Sequence, residues 1–133
     1  AGVFTELNKA GVDLSGMLLK PNMVIYSLEG VKVNTGQVAE NTLKCLNSTV
    51  PHEVAGIVFL SGGQSETEAC ENLDMINKMA KNEPWKLTFS YGRALQNSAI
   101  KAWGGKEENV VKAQQVFMDR AEAASLAAQG KLK

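Results

Sequence analysis

Three short apolar runs divide the chain, and a helical pattern follows each of them. Parallel strands need a long crossover between them, so this alternation is the mark of βα units around a parallel sheet. The first run, residues 12–19, ends at Lys20-Pro21. Proline has no N–H to give to a sheet ladder, so Pro21 marks the strand's exit. The second run, 56–60, is apolar throughout, as a strand covered on both faces should be. It stops at Ser61-Gly62-Gly63. The third, 85–90, carries Lys86 among its apolar residues and runs into Tyr91-Gly92-Arg93.

The intervening segments carry helix signals. Asn34 and Gln37 have the spacing of a capping box, and Ala39, Leu43 and Leu46 recur behind them at helical intervals. Ser65 and Glu68 form a second capping box, ahead of a face made by Ala69, Leu73, Ile76 and Ala80. Asn82 and Pro84 close that helix. A helix is predicted over 94–103, Gly104-Gly105 breaks it, and a long helix follows over 107–128. Its buried stripe is predicted at Val110, Ala113, Phe117, Ala121 and Ala124. A short helix over 5–9 precedes the first strand.

With 133 residues the chain is long enough for one domain, but three parallel strands leave two edges of unpaired backbone groups. A closed (β/α)₈ barrel uses about 250 residues and eight strands. The expectation is therefore a partial barrel domain over residues 1–133, its remaining strands supplied by a longer chain or by another polypeptide.

Composition narrows the partners. Fourteen basic residues balance fourteen acidic ones, so the chain lacks the basic excess of a nucleic-acid binder or a binder of anionic membranes. No apolar run approaches the roughly 20 residues of a membrane span, and the first residues do not read as a signal peptide. Cys45 and Cys70 lack metal-ligand spacing and fall in helical segments, which suggests reduced thiols in a reducing compartment.

Three strand ends could carry chemistry. Lys20 follows Met17-Leu18-Leu19; a desolvated lysine amine can attack a ketone, whereas a lysine at a strand end can also simply extend into solvent. Ser61-Gly62-Gly63 could lay successive N–H groups along a phosphate, yet such a turn is common and lacks the pattern of a P-loop. Ser90, Gly92 and Arg93 offer close backbone approach and a guanidinium fork suited to phosphate oxygens. Arg93 at a helix start sits against the helix dipole, which favours an anionic partner. Barrels often hold phosphate with the loops after strands seven and eight, so two consecutive loops of this kind mean more than either alone. His52 lies in a loop entering a strand, at the opposite end, and reads as structural or solvated. Trp85 and Trp103 read as packing residues.

The stretches Leu18-Leu19-Lys20-Pro21-Asn22-Met23-Val24, Phe59-Leu60-Ser61-Gly62-Gly63-Gln64-Ser65-Glu66 and Phe89-Ser90-Tyr91-Gly92-Arg93-Ala94-Leu95-Gln96 together resemble the class I fructose-bisphosphate aldolase family. Lys101-Ala102-Trp103-Gly104-Gly105-Lys106-Glu107-Glu108-Asn109 is also similar to it, so the resemblance covers nearly the whole chain in order and spacing. It implies the last three βα units, strands six to eight, of a TIM (β/α)₈ barrel, followed by a C-terminal helix. It implies that Lys20 forms a Schiff base with fructose 1,6-bisphosphate or dihydroxyacetone phosphate, without a cofactor or metal. Ser61, Gly62, Gly63, Ser90, Gly92 and Arg93 would bind the substrate phosphate. A cytoplasmic homotetramer acting in glycolysis is implied as well, with no nucleic-acid or membrane partner.

The family's acid–base glutamate, aspartate and further lysines belong to earlier strands that this sequence does not include, and the family's flexible C-terminal tail, ending in a tyrosine, is not found here either. The family commonly has glutamate at the position of Ser15 and Thr-Pro-Gly at Ile25-Tyr26-Ser27, so the loop after the lysine strand is altered. Two alternatives stay open: a truncated, non-catalytic module within a larger assembly, and a phosphosugar-binding barrel with another reaction.

Overall fold

The computed structural model describes residues 1–27 and 29–133. Its strands β1 (Leu18–Leu19), β2 (Gly56–Phe59) and β3 (Lys86–Phe89) form one parallel sheet in the order β1-β2-β3. Leu19, Ile57 and Leu87 stand in a single row across it. The helices are α1 (Gly2–Lys9), α2 (Thr35–Thr49), α3 (Glu66–Met79), α4 (Arg93–Trp103) and α5 (Val110–Ala127).

The helices cover one face of the sheet. Ile57 and Phe59 are fully buried beneath them, and Leu87 nearly so. Strand side chains alternate between faces, so their neighbours Leu18, Val58, Lys86 and Thr88 belong to the other face. Leu18 there is 62% exposed, and Lys86 is exposed too. Sequential strand order with the helices on one side is the winding of a barrel segment, since a doubly wound sheet covers both faces.

The helix starts follow the predicted chemistry. Asn34 accepts from the Gln37 N–H at 2.9 Å while the Gln37 side chain accepts from the Asn34 N–H at 3.2 Å. The Ser65–Glu68 pair closes in the same reciprocal way. Helix α3 is the centre of the core, with Ala69, Leu73 and Ile76 fully buried and packed toward α2, α4 and α5. The C-terminus docks on it: Asp74, itself buried, accepts from the Leu132 N–H at 2.9 Å, and Asn77 donates to the Ala127 carbonyl at 3.3 Å. Gly130 makes the turn at φ +65°, where its missing Cβ would lie 3.4 Å from the Lys78 nitrogen. Cys45 is exposed and Cys70 buried, and both are free thiols.

Three expectations need correction. The strand predicted over 12–19 is reduced to Leu18–Leu19, because Leu14–Gly16 forms a 3₁₀ turn. Asp13 caps that turn, accepting from both the N–H and the hydroxyl of Ser15, and this local bonding competes with the ladder. Parallel bonding nevertheless continues at both ends, from Ala55 N–H to the Met17 carbonyl and from Leu60 N–H to the Pro21 carbonyl. The last helix begins at Val110, after a 3₁₀ turn over Glu107–Asn109, and its stripe is only partly covered. Ala124 is buried, but Phe117 is 41% exposed. Phe117 and Met118 instead line an open apolar groove of about 910 Å³ between α4 and α5, together with Ile100 and Trp103. Trp103 is therefore not a core residue, being 45% exposed, whereas Trp85 is buried and donates to the Pro51 carbonyl at 2.9 Å. Packing takes two surfaces, and among the described residues this groove is walled by α4 and α5.

Since Leu73 lies at the centre of the helix layer, Leu73→Ala should destabilise the fold by about 2–5 kcal/mol, measured by urea denaturation. A loss within about 0.5 kcal/mol, the range of surface substitutions, would contradict this account of the core.

Candidate active site

The exits of the three strands lie side by side at the C-terminal edge of the sheet. One step beyond the Leu19–Ile57 pair, Lys20 comes level with Val58, which is opposite Thr88. Alternation puts Lys20 on the face the helices leave uncovered, and its side chain is exposed. From there the chain turns toward the second exit. The Leu60 N–H donates to the Pro21 carbonyl at 3.0 Å, and the Asn22 carboxamide donates to the Gly62 carbonyl at 3.3 Å.

The second and third exits also meet. The Ser90 N–H donates to the Phe59 carbonyl at 2.8 Å, which carries the ladder to the start of the last loop. A Cβ on Gly62 would lie 3.4 Å from Nη2 of Arg93, so the guanidinium stands directly over this glycine. Gly63 takes φ +79°, a left-handed conformation that glycine adopts without strain. Ser61 is buried, Ser90 half-buried, and Gly92 precedes α4 with no side-chain cap on its free N–H groups. Unpaired N–H groups at the start of a helix beside a guanidinium can take an anion's oxygens. Lys20, Ser61, Gly62, Gly63, Ser90, Gly92 and Arg93 thus share one edge of the sheet. His52 lies at the other edge, its ring edge-on to Trp85 at 6.0 Å.

Several side chains hold this edge together through long-range partners that gave no sign in the sequence. Glu66, at the start of α3, accepts from the N–H of Ser98 at 2.8 Å and from its hydroxyl, which ties α3 to α4. The Tyr91 hydroxyl donates to the Ala69 carbonyl at 2.7 Å, and burial pushes the phenol well above its ordinary value. Glu68 pairs with Lys32 and accepts from the Tyr26 hydroxyl at 3.3 Å. The Lys32 ammonium, followed by the Ser65 N–H, holds the Glu68 carboxyl down to about 2. Among the described residues no group of three or more His, Cys, Asp or Glu is placed to hold a metal ion.

The family model for class I fructose-bisphosphate aldolase matches residues 1–133. The chain belongs to the class I fructose-bisphosphate aldolase family. It is 53% identical over 131 residues to the cytoplasmic isozyme of the aldolase of Spinacia oleracea, covering 98% of this chain and 37% of that one. The aldolase of Plasmodium falciparum is 54% identical over 132 residues, which is 98% of this chain and 36% of the relative. A ternary co-crystal structure of the Plasmodium falciparum aldolase with TRAP and a small-molecule inhibitor superposes with a TM-score of 0.94 at 54% identity. That match covers 98% of this chain and 38% of the solved one. The chain thus spans little more than a third of the length of these aldolases. Its three-stranded parallel sheet and helices are an α/β segment of the aldolase barrel. Among the described residues no helix of this aldolase segment is long and apolar enough to cross a membrane.

The Glu68 interactions have a pH signature. A carboxyl held near 2 in the fold, against an ordinary 4.5, stabilises the folded state above about pH 4.5, and that contribution is lost as the pH falls toward 2. Glu68→Gln should lower the melting temperature at pH 6 and flatten the acid loss between pH 4.5 and 2. Parallel melting profiles for the two proteins would refute this.

Proposed function

We propose that this segment carries the imine-forming lysine and the phosphate cradle of a fructose-bisphosphate aldolase, a lyase of glycolysis. The observation that carries the reading is the convergence on Gly62. Asn22, from the loop after Lys20, holds its carbonyl, and the Arg93 guanidinium lies 3.4 Å from the position of its missing Cβ. A phosphate held there by Ser61, Gly62, Gly63, Ser90, Gly92 and Arg93 would anchor a phosphorylated ketone beside Lys20.

In the proposed reaction, the free amine of Lys20 adds to the keto carbon of fructose 1,6-bisphosphate. Loss of water then leaves a protonated imine. Cleavage of the bond between the third and fourth carbons sends its electron pair into that imine, forming an enamine and releasing glyceraldehyde 3-phosphate. Protonation of the enamine and hydrolysis of the imine return dihydroxyacetone phosphate and the free lysine. The base that removes the hydroxyl proton at the fourth carbon belongs to strands outside this segment, so the segment alone is inactive in this scheme.

The same reading makes the three strands the sixth, seventh and eighth of a (β/α)₈ barrel. It is supported by the two open sheet edges, the uncovered face bearing Lys20, and the apolar groove between α4 and α5. The remaining strands would pair with those edges. A cytoplasmic homotetramer is the corresponding assembly and location, and the cytoplasmic and cytosolic names of several relatives support the location.

Dihydroxyacetone phosphate followed by borohydride should label the full-length protein at Lys20, and Lys20→Met should abolish the label. A label that persists in the variant would remove the assignment. Arg93→Ala should weaken binding of the phosphorylated substrate roughly thirty-fold, about 2 kcal/mol, the range for a charge-assisted hydrogen bond. Unchanged affinity would take Arg93 out of the phosphate site.

A further inference from the structure

Glu68 poses an electrostatic problem for the cradle. It stands in the first turn of the helix that opens from Ser61-Gly62-Gly63, and its Oε2 accepts from the Ser65 N–H at 3.0 Å, two residues beyond Gly63. A carboxylate suits that turn as a partner for the helix dipole, but it repels an anion arriving at the loop just before it. The neighbouring Glu66 is occupied by the N–H and hydroxyl of Ser98, on the side of α4. Among the described residues, Glu68 is the carboxylate of this turn that pairs with a cation, Lys32.

Lys32 reaches it on the loop after β1, whose earlier residues are tied to α2, the cradle and α3. The Val24 N–H donates to the Thr42 hydroxyl oxygen at 2.9 Å. Ile25 lies against Gly63, with its Cδ1 3.0 Å from where a Cβ would stand. Tyr26, which falls where the family commonly has proline, donates to the same Glu68 oxygen that faces Lys32. A pocket of about 260 Å³ beneath this loop is lined by Tyr26, Lys32, Gln64, Glu68, Glu71 and Asn72. Gln64 connects it to the cradle, since its N–H donates to the Ser61 carbonyl at 3.2 Å.

We propose that Lys32 is a positioning residue for phosphate binding: it neutralises Glu68, so that an anion enters the Ser61-Gly62-Gly63 cradle without facing an unpaired carboxylate. The inference rests on the phosphate role proposed for that loop. The depressed Glu68 carboxyl and the raised Lys32 ammonium agree with a pair that is charged at neutral pH. Lys32 is 67% exposed, so the effect is one that salt weakens.

The test uses the full-length protein with inorganic phosphate as the probe in calorimetry, alongside KM and kcat for fructose 1,6-bisphosphate. Lys32→Met should weaken phosphate binding and raise KM by the same factor, about five-fold at low salt, and leave kcat within about two-fold. Lys32→Arg should restore both. The double variant Lys32→Met with Glu68→Gln should also return both close to the parent values, because glutamine keeps the capping box but carries no charge. A Lys32→Met protein with unchanged phosphate affinity overturns the proposal. So does a double variant as impaired as Lys32→Met alone, since a purely structural tie is not repaired by removing its second partner. Borohydride labelling of Lys20 is read in the same samples: its failure counts against the imine chemistry, while the phosphate titrations decide the role of Lys32.

Discussion

The row formed by Leu19, Ile57 and Leu87 sets the arrangement of everything else. Side chains alternate along a strand, so shifting one strand by a single residue would exchange its faces. Ile57 and Phe59 would then leave the helix layer, and Val58 would replace them. On β1 the same slip would turn Lys20 in toward the helices, where an ammonium has no water. Burial of Ile57, Phe59 and Leu87 therefore holds the register, and the register decides that Lys20 emerges on the open face.

A second constraint gathers at the start of α3. Ser65 and Glu68 close the capping box, Glu66 reaches α4 through Ser98, and Glu68 reaches the loop after β1 through Tyr26 and Lys32. One helical turn thus joins the segments that follow all three strands. Acidic residues there favour the helix, because they face the positive end of its dipole. The same charges disfavour an anion at the preceding loop, and the structure answers each of them with a partner of its own.

Much of this was legible locally. Both capping boxes were read from residues three apart, and the three strand exits were read from Pro21, Gly62-Gly63 and Gly92. The short β1 was missed because an apolar window does not reveal that Asp13 would engage Ser15 and curl the chain before Met17. The stripe on α5 was read correctly as a helical face but only partly correctly as a buried one, since Ala124 is buried and Phe117 is not. Periodicity tells which side of a helix is apolar and says nothing of what lies against it, and Phe117 faces a groove. The ties from Asn22 to Gly62 and from Tyr26 to Glu68 span 40 and 42 residues, and no motif links residues so far apart.

The sequence by itself determined the βα alternation, the helix starts and the kinds of residue at each strand exit. These depend on interactions within a few residues: a missing N–H at proline, a missing Cβ at glycine, a side-chain oxygen bonded three residues ahead. Only the tertiary structure decided that Arg93 stands over Gly62, that Asn22 holds the same glycine, and that Lys32 faces Glu68. Those meetings follow from the pairing of distant strands and the packing of the helices between them. Their geometry comes into being only when the core closes.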